Sequence, residues 1–558
     1  MPAADGEFIF GSVSDPKAKF AINGLPVSVH PNGAFLSWQP IKPGTFTFLC
    51  ELFLKKSTAA YQRGISVIGP SPALPEKPLA IDADSLWPKS DLELRAGDWL
   101  VARMRASPGQ AARFKLPKHR WLPLRETAAF SGIYEGTYQA GGSDELASEG
   151  VDYRLGSGWS EKAAQSRGKV TINAGTPAVA AVKSPQLTAV KTAPGAGYLL
   201  FSSSGTKFVT AGRTNSEVKV RLSDAQSGWI DAKDLEYLPA GTPPPRAEMG
   251  TIHTSASKEA TTVRIALSER VPYAVEEGED LNSLTVRFFY TFNHTNWIVY
   301  DSSDTFVREI RWKQEAADVA AVTIRLNPEM TLWGYQAQFD GGSIKIELRR
   351  APRLATAGSP LSGRTVFLDP GHMPSASGAT GPMGTKEMDA NFAIAKAVAF
   401  RLSEEGAIPV LSRDTTWQEV SLPDRPKLAL EKKADIFVSL HNNALPEGEN
   451  PFARPRGFGV FYYHPHSMAM ASDVYRSYEK RVPLPGEELR YGNLHVARLT
   501  AMPAILIENA YIIIPAQEEK LNDPEFRDTL AKAVVAGLRT FLEREREKQL
   551  TKRKGARP

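Results

Sequence analysis

A chain of 558 residues is too long for one hydrophobic core and predicts about three to five domains. Its 67 lysines and arginines against 62 aspartates and glutamates leave a net charge of +5, too small an excess over this length to predict a nucleic-acid partner. Cys50 is the single cysteine, which excludes an intrachain disulfide framework, and no apolar run approaches the roughly 20 residues that span a bilayer.

The first segment, residues 8–69, holds the pairs Asn23-Gly24 and Asn32-Gly33 between alternating or aromatic residues. Both residue types tolerate the positive φ of a type I′ turn, so each pair predicts a hairpin. With Pro43-Gly44 as a third turn and Ile65 and Val67 in a closing strand, the segment predicts a small β-sandwich. Cys50, inside the alternating Thr-Phe-Leu-Cys-Glu-Leu-Phe, reads as a small buried hydrophobe. The pattern Asn-Gly-x-x-Val-x-Val-x-x-Asn-Gly-x-Phe resembles immunoglobulin-like modules of bacterial surface enzymes. Pro70, Pro72, Pro75 and Pro78 then form a stiff linker.

Turn signals recur over 79–158 (Arg95 to Asp98, Ser107-Pro-Gly109, Gly136, Gly141-Gly142) between short apolar stretches such as Trp99 to Met104, which predicts a second all-β module. Residues 166–238 contain the two-residue alternation Val218 to Leu222, then Gly228-Trp229-Ile230 and the closing Leu235-Glu-Tyr-Leu238. The alternation implies a half-buried strand and Trp229 reads as core; the pattern resembles bacterial SH3-like domains, which bind cell-wall peptides. Ala240-Gly-Thr-Pro-Pro-Pro245 is a linker, because consecutive prolines continue neither helix nor sheet. Strands at Val263 to Leu267, Leu284 to Phe292, Val322 to Leu326 and Ile344 to Leu348 predict another β-sandwich over 249–350, with His253 and His294 as structural residues.

From 363 to 545 strands alternate with helices, which predicts an α/β domain built on a mainly parallel sheet with flanking helices. Thr365 to Leu368 is a strand running into Asp369-Pro-Gly371 and His372. Asp389 caps a helix with the apolar face Ile394, Ala395, Val398 and Leu402, ended by Gly406, and Ala407 to Leu411 is the next strand. Strands at Ala434 to Leu440 and Ala504 to Ile507 deliver His441 and Glu508, and Asp523-Pro524 starts a helix with the face Phe526, Leu530, Val534, Leu538 and Phe541. The fold class is therefore multidomain, several all-β modules followed by a C-terminal α/β domain. The end, 546–558, is basic and reads as a solvated helix end and disordered tail, with contact to a membrane surface or wall polymer as the alternative.

In such a sheet His372, His441 and Glu508 all emerge at carboxyl ends of strands, the edge where open α/β sheets place ligands. Glu387 stands at the entry to the first helix, above the same edge. Two imidazoles and one carboxylate suit a catalytic zinc with three protein ligands, and a second carboxylate nearby can take a proton from water.

The segments Leu-Asp-Pro-Gly-His (368–372), Gly-x-x-Gly-x-Lys-Glu-x-x-x-Asn (381–391), Ala-Asp-x-Phe-Val-Ser-Leu-His-Asn-Asn-Ala (434–444) and Pro-Ala-Ile-Leu-Ile-Glu-Asn (503–509) resemble, in order, the zinc-dependent N-acetylmuramoyl-L-alanine amidases. The resemblance implies one zinc ion on His372, Glu387 and His441, with Glu508 as the catalytic carboxylate. It also implies cleavage of the amide between N-acetylmuramic acid and the L-alanine of the stem peptide in peptidoglycan. Two other readings are a zinc peptidase cutting within the stem peptide and an inactive wall-binding scaffold. Placed directly before this domain, 249–350 resembles the wall-targeting modules called AMIN, and the β-modules are expected to hold the chain to the wall or to wall-associated proteins. The implied activity is periplasmic or secreted. The first residues, Met-Pro-Ala-Ala-Asp-Gly-Glu, lack a basic and an apolar signal region, which leaves a cytoplasmic chain or one that begins after a removed signal; the implied activity favours the second.

Departures from the family pattern are Met373-Pro374, where members often carry Gly-Gly, and Asn509 to Ile514 after the glutamate. His464-Pro-His466 reads as an exposed turn, with a second metal site as the alternative, and His495 as a residue packed near the sheet. Arg454 and Arg456 read as solvated loop residues, or as partners of a stem-peptide carboxylate.

Overall fold

In the computed structural model, residues 6–54, 57–67, 74–173, 178–214 and 216–555 are described; the expected linker prolines Pro70 and Pro72 and the last three residues lie outside them. The C-terminal domain is built on strands β1 (Thr365–Pro370), β2 (Ile408–Leu411), β3 (Ile436–Asn443), β4 (Phe458–Tyr462), β5 (Gly486–Tyr491) and β6 (Ala504–Tyr511). Its helices are α1 (Glu387–Glu404), α2 (Asp424–Glu431), α3 (Pro465–Arg481), α4 (Pro515–Asn522) and α5 (Pro524–Gly555). The sheet order is β2-β1-β3-β6-β4-β5. The first four strands are mutually parallel, whereas β4 runs antiparallel to β6 and β5 runs parallel to β4. This reversal sets the amino ends of β4 and β5 on the edge where β1, β3 and β6 terminate.

The helical faces read from the sequence are the buried ones. Ile394, Ala395, Val398 and Leu402 of α1 and Phe526, Leu530, Val534, Leu538 and Phe541 of α5 all enter one core with Val366, Phe437 and Ile507. Full burial of such side chains contributes roughly 1.5–3 kcal/mol each, far more than helix propensity supplies. Asp389 lies in the first turn of α1 rather than at the cap, which is Lys386, and Gly406 beyond the helix takes φ 75°. Helix α5 continues into the basic segment as far as Gly555, so the expected helix end extends to that residue. Gln549 fastens this extension to Pro352 O and Leu354 N.

The preceding β segments follow one another in the expected order, but among the described residues they form only three hydrophobic cores. Residues 6–67 fold as a small two-sheet unit around Phe20, Phe35, Phe48 and the buried Cys50. Asn23 and Gly24 both take positive φ between strands Lys19–Ile22 and Leu25–Pro26, as a type I′ turn requires; at Asn32-Gly33 only the glycine does. Residues 166–173, expected within the third unit, belong to the strand Lys162–Asn173, which pairs with Glu145–Leu155 and buries Val170 and Ile172 in the second core. The division therefore falls after Asn173. In the third unit Ile230 fills the core while Trp229, expected there, is only half-buried. The third and fourth units share one continuous core. His253 and His294, expected to be structural, are exposed.

These units are packed against the α/β domain at defined places. The fourth presses Trp333, whose Nε1 donates to Asp435 O at 2.7 Å, and Arg349, whose Nη1 donates to Ala434 O and Ala501 O, both at 3.1 Å. Ala434, Asp435 and Ala501 precede β3 and β6, so this contact closes the amino edge of the parallel strands. The third unit reaches the same end, where His495 packs between the rings of Tyr198 and Phe201 and Arg498 Nη2 donates to Leu199 O at 3.2 Å. The first unit lies elsewhere: Phe8 and Phe10 pack on the α/β core, and His30 stands 3.7 Å from Glu519 of α4.

His464-Pro-His466, expected as an exposed turn, is buried against the fourth unit. Glu277 from that unit accepts from His466 N at 2.9 Å and lies 2.7 Å from His466 Nδ1 and 3.4 Å from His464 Nδ1. The other ring nitrogens sit 3.0 Å from Arg498 O and 3.3 Å from Met502 O, so every imidazole nitrogen has a protein partner and none is left for a metal. Burial alone would raise the Glu277 pKa, but the two imidazoles hold it well below the usual carboxylate range, while burial pushes the pKa of His464 down. A carboxylate with a depressed folded pKa contributes stability above its ordinary pKa of about 4.3, and that contribution is lost as the pH falls. A histidine with a depressed pKa adds to the loss, since acid must charge it in the unfolded chain. Glu277→Gln should therefore lower stability at pH 7 by about 2 kcal/mol, read as earlier thermal unfolding of the full chain. The gap to the unsubstituted protein should narrow below about pH 4.

Candidate metal centre

The structure brings together the residues singled out at the strand ends. His372 follows β1, Glu387 is the first residue of α1, and His441 and Glu508 lie opposite one another inside the last turns of β3 and β6 rather than beyond them. One ligand atom each from His372, Glu387 and His441 lie within 4.8 Å of one another, the one such group among the described residues. Glu387 Oε2 is 3.0 Å from His372 Nε2 and Oε1 is 3.2 Å from His441 Nδ1. The two imidazole centroids are 4.9 Å apart.

Backbone geometry makes this convergence possible. A Cβ on Gly371 would meet the His441 ring at 2.2 Å, so only glycine lets the two loops approach. Gly378, at φ 75°, would place a Cβ 2.3 Å from Glu387 Oε2 and 2.7 Å from the His372 ring. His372 itself takes φ 67°, a left-handed conformation uncommon for a residue with a side chain. It is held there by Arg425 Nη2, which donates to His372 O at 2.9 Å, and by Gly371 N, which donates to Leu440 O at 2.9 Å.

Beneath the group lies a buried polar layer. Asp369 Oδ1 accepts from Arg425 Nη1 at 3.0 Å and from Ser412 Oγ at 2.9 Å, and Oδ2 accepts from Ser439 Oγ at 2.9 Å. Glu387 is oriented by Ala379 N at 2.9 Å, Asn442 N at 3.2 Å and Asn391 Nδ2 at 3.4 Å. Asn391 and Asn442 join each other at 2.7 Å. Arg425 and its partnership with Asp369 were not read from the sequence; an arginine two residues past Pro423, in the first turn of α2, carries no local mark of its partner. The loop that bears Met373-Pro374 is tied to the next loop, since Ser375 N and Oγ both donate to Glu419 at 2.8 Å.

The electrostatics of the group are those of paired charges out of water. Burial would raise the pKa of Glu387, yet the hydrogen bonds with the two histidines hold it well below the carboxylate range. Burial opposes charge on His441, but Glu387 and Glu508 outweigh it and raise its pKa. Glu508 lies beside them, with its Oε2 buried and without a hydrogen-bond partner among the described residues. Burial, reinforced by Glu387 and offset in part by His441, pushes its pKa up to about 7. A buried carboxylate oxygen without a donor is costly unless a ligand supplies one. The donor set, two imidazoles and a carboxylate facing one point, fits a four-coordinate metal that keeps one position for substrate or water.

Of the other residues considered, Arg456 is buried and paired with Glu449 at 2.6 Å, whereas Arg454 stays half-exposed beside Glu487.

Residues 366–540 match the family model described as N-acetylmuramoyl-L-alanine amidase, Amidase_3. The chain is similar to the protein named "Probable cell wall amidase LytH" of Staphylococcus epidermidis (strain ATCC 12228 / FDA PCI 1200), 32% identical over 185 residues, which are 33% of this chain and 60% of that one. The protein of the same name from Staphylococcus aureus is 34% identical over 186 residues, again 33% of this chain and 60% of that one. This chain thus spans about 60% of the length of the curated relatives it matches. Among solved structures, the N-acetylmuramoyl-L-alanine amidase AmiC2 of Nostoc punctiforme is 31% identical over 33% of this chain and 99% of that one, with a TM-score of 0.30. With the four motif segments falling on one sheet edge and the match running from β1 into α5, the C-terminal domain of this chain belongs to the Amidase_3 family of N-acetylmuramoyl-L-alanine amidases.

Proposed function

We propose that this chain is a zinc-dependent peptidoglycan amidase that hydrolyses the amide between N-acetylmuramic acid and the L-alanine of the stem peptide, acting outside the cytoplasm. The observation that carries this reading is the convergence of His372, Glu387 and His441 within 4.8 Å, with the unpartnered oxygen of Glu508 beside them. In this reading His372, Glu387 and His441 hold one zinc ion. Bound there, zinc supplies Lewis acidity towards a carbonyl oxygen and towards water. Glu508 takes the proton of the attacking water on its carboxylate and returns it to the leaving amine nitrogen, so no covalent enzyme intermediate is required. Asn391 and Asn442 keep Glu387 aimed at the group, and Arg425 keeps the His372 turn in place. The β units, which contribute no residue to the group, are assigned to attachment at the wall and contact with wall-associated proteins.

Digestion of purified peptidoglycan, with fragments identified by mass, tests the reaction. Free stem peptides should appear and a chelator should abolish them; shortened stems, or no release, would overturn the reading. His372→Ala and His441→Ala should each lower bound zinc, measured by elemental analysis of the purified chain. Glu508→Gln should keep its zinc and lose about 10² to 10⁴-fold in turnover. Asn391→Ala should weaken zinc affinity or activity by roughly 10- to 100-fold, measured by competition with a chelating dye and by turnover.

A further inference from the structure

A second polar cluster stands on the catalytic edge. Because β4 and β5 run opposite to the other strands, the segment from Pro446 to Gly457 enters β4 from that edge, and Glu487 stands there as the second residue of β5. Gly459 of β4 faces Glu508 in register. The buried Glu487 carboxylate gathers Arg454 Nη2, Arg490 Nη2 and the Tyr511 hydroxyl, each at 3.2 Å, Gly457 N at 3.1 Å and Arg456 Nη1 at 3.9 Å. The Tyr511 ring lies 5.6 Å from the Arg456 guanidinium, and Tyr511 faces Asn443, two residues past His441. The cluster therefore adjoins the metal-ligating group.

Three guanidiniums share two carboxylates, Glu487 and Glu449, which leaves one positive charge unmatched within the cluster. Arg456, 3% exposed, is held between both carboxylates. Arg454 and Arg490 differ: their side chains are 52% and 30% exposed. Arg490 is further fixed by Nε, which donates to Glu487 O at 3.0 Å, and by the Phe461 ring 5.9 Å away. A guanidinium carries five N–H donors, so each arginine keeps donors for a ligand while Glu487 sets its position. Such a fork, already ordered and short of one negative charge, suits a single carboxylate.

Resting on the amidase reading, we propose that Arg454 and Arg490 form a carboxylate-binding subsite for an acidic residue of the peptide whose amide is cut, and that they set specificity for a free over an amidated carboxyl.

The test uses the zinc-loaded full chain and two muramoyl peptides with the same scissile bond, one bearing a free glutamyl carboxylate and one with its carboxyls amidated. Arg454→Gln combined with Arg490→Gln should lose about 10- to 100-fold in kcat/KM on the free carboxylate, chiefly through KM. The amidated peptide should change less than about threefold, and zinc content should be unaltered. The lysine replacements, which keep the charge, should recover part of the preference. Equal losses on both peptides, or no loss on either, would overturn the subsite. Calorimetric binding of both peptides to the Glu508→Gln chain separates the two claims. If the unsubstituted chain cuts neither peptide, the amidase reading falls. A binding preference for the free carboxylate that the double glutamine variant abolishes would still support the subsite, and no preference would reject it.

Discussion

The buried carboxylate of Asp369 is the constraint on which the edge carrying His372, Glu387 and His441 depends. It sits at the end of β1 with no exposure to solvent, and two serines and Arg425 satisfy it from β3, α2 and the loop after β2. Removing one partner of a buried ion pair typically costs about 3–5 kcal/mol, because the remaining charge stays out of water. The same arginine also accepts the task of pinning His372 O, so the ion pair and the left-handed turn are one device. Position and chemistry are thereby joined: the group that stabilises the turn also presents the imidazole.

The two edges of the sheet are treated differently. The third and fourth β units cover the end where β3 and β6 begin, through Trp333, Arg349, His495 and the Glu277–His464–His466 contact. Trp333 and Arg349 satisfy backbone carbonyls at strand starts, Glu277 and the two histidines pair buried polar groups, and His495 adds aromatic packing. The opposite edge, where strands end, carries His372, His441, Glu508 and the arginines around Glu487 and is left to the ligand. A rigid platform behind an open edge suits a site whose ligand atoms must converge without rearrangement.

The first β unit sits at neither location. Phe8 and Phe10 pack on the α/β core, and His30 reaches Glu519 of α4, which follows β6. Glu518 of the same helix accepts from Met383 N and Thr385 N, in the loop that leads into Glu387. The unit farthest away in sequence thus rests on the helix that shapes the approach to a proposed ligand.

Residue order and periodicity alone determined a good deal here. The strand, Asp-Pro-Gly turn and His372, the entry of Glu387 into a helix, the apolar faces of α1 and α5, and the delivery of His441 and Glu508 by apolar strands are local signals, because each depends on alternation or spacing within a few residues. Tertiary structure decided the rest. Nothing local tells that β4 reverses direction and so brings Glu487 and three arginines to the edge that carries His372, Glu387 and His441, that Glu277 meets His466 across 189 positions, or that Trp229 is only half-buried while Ile230 fills the core. Periodicity marks which face of an element is apolar, but a buried charge finds its partner only when distant elements pack, and that choice is made by the whole core at once.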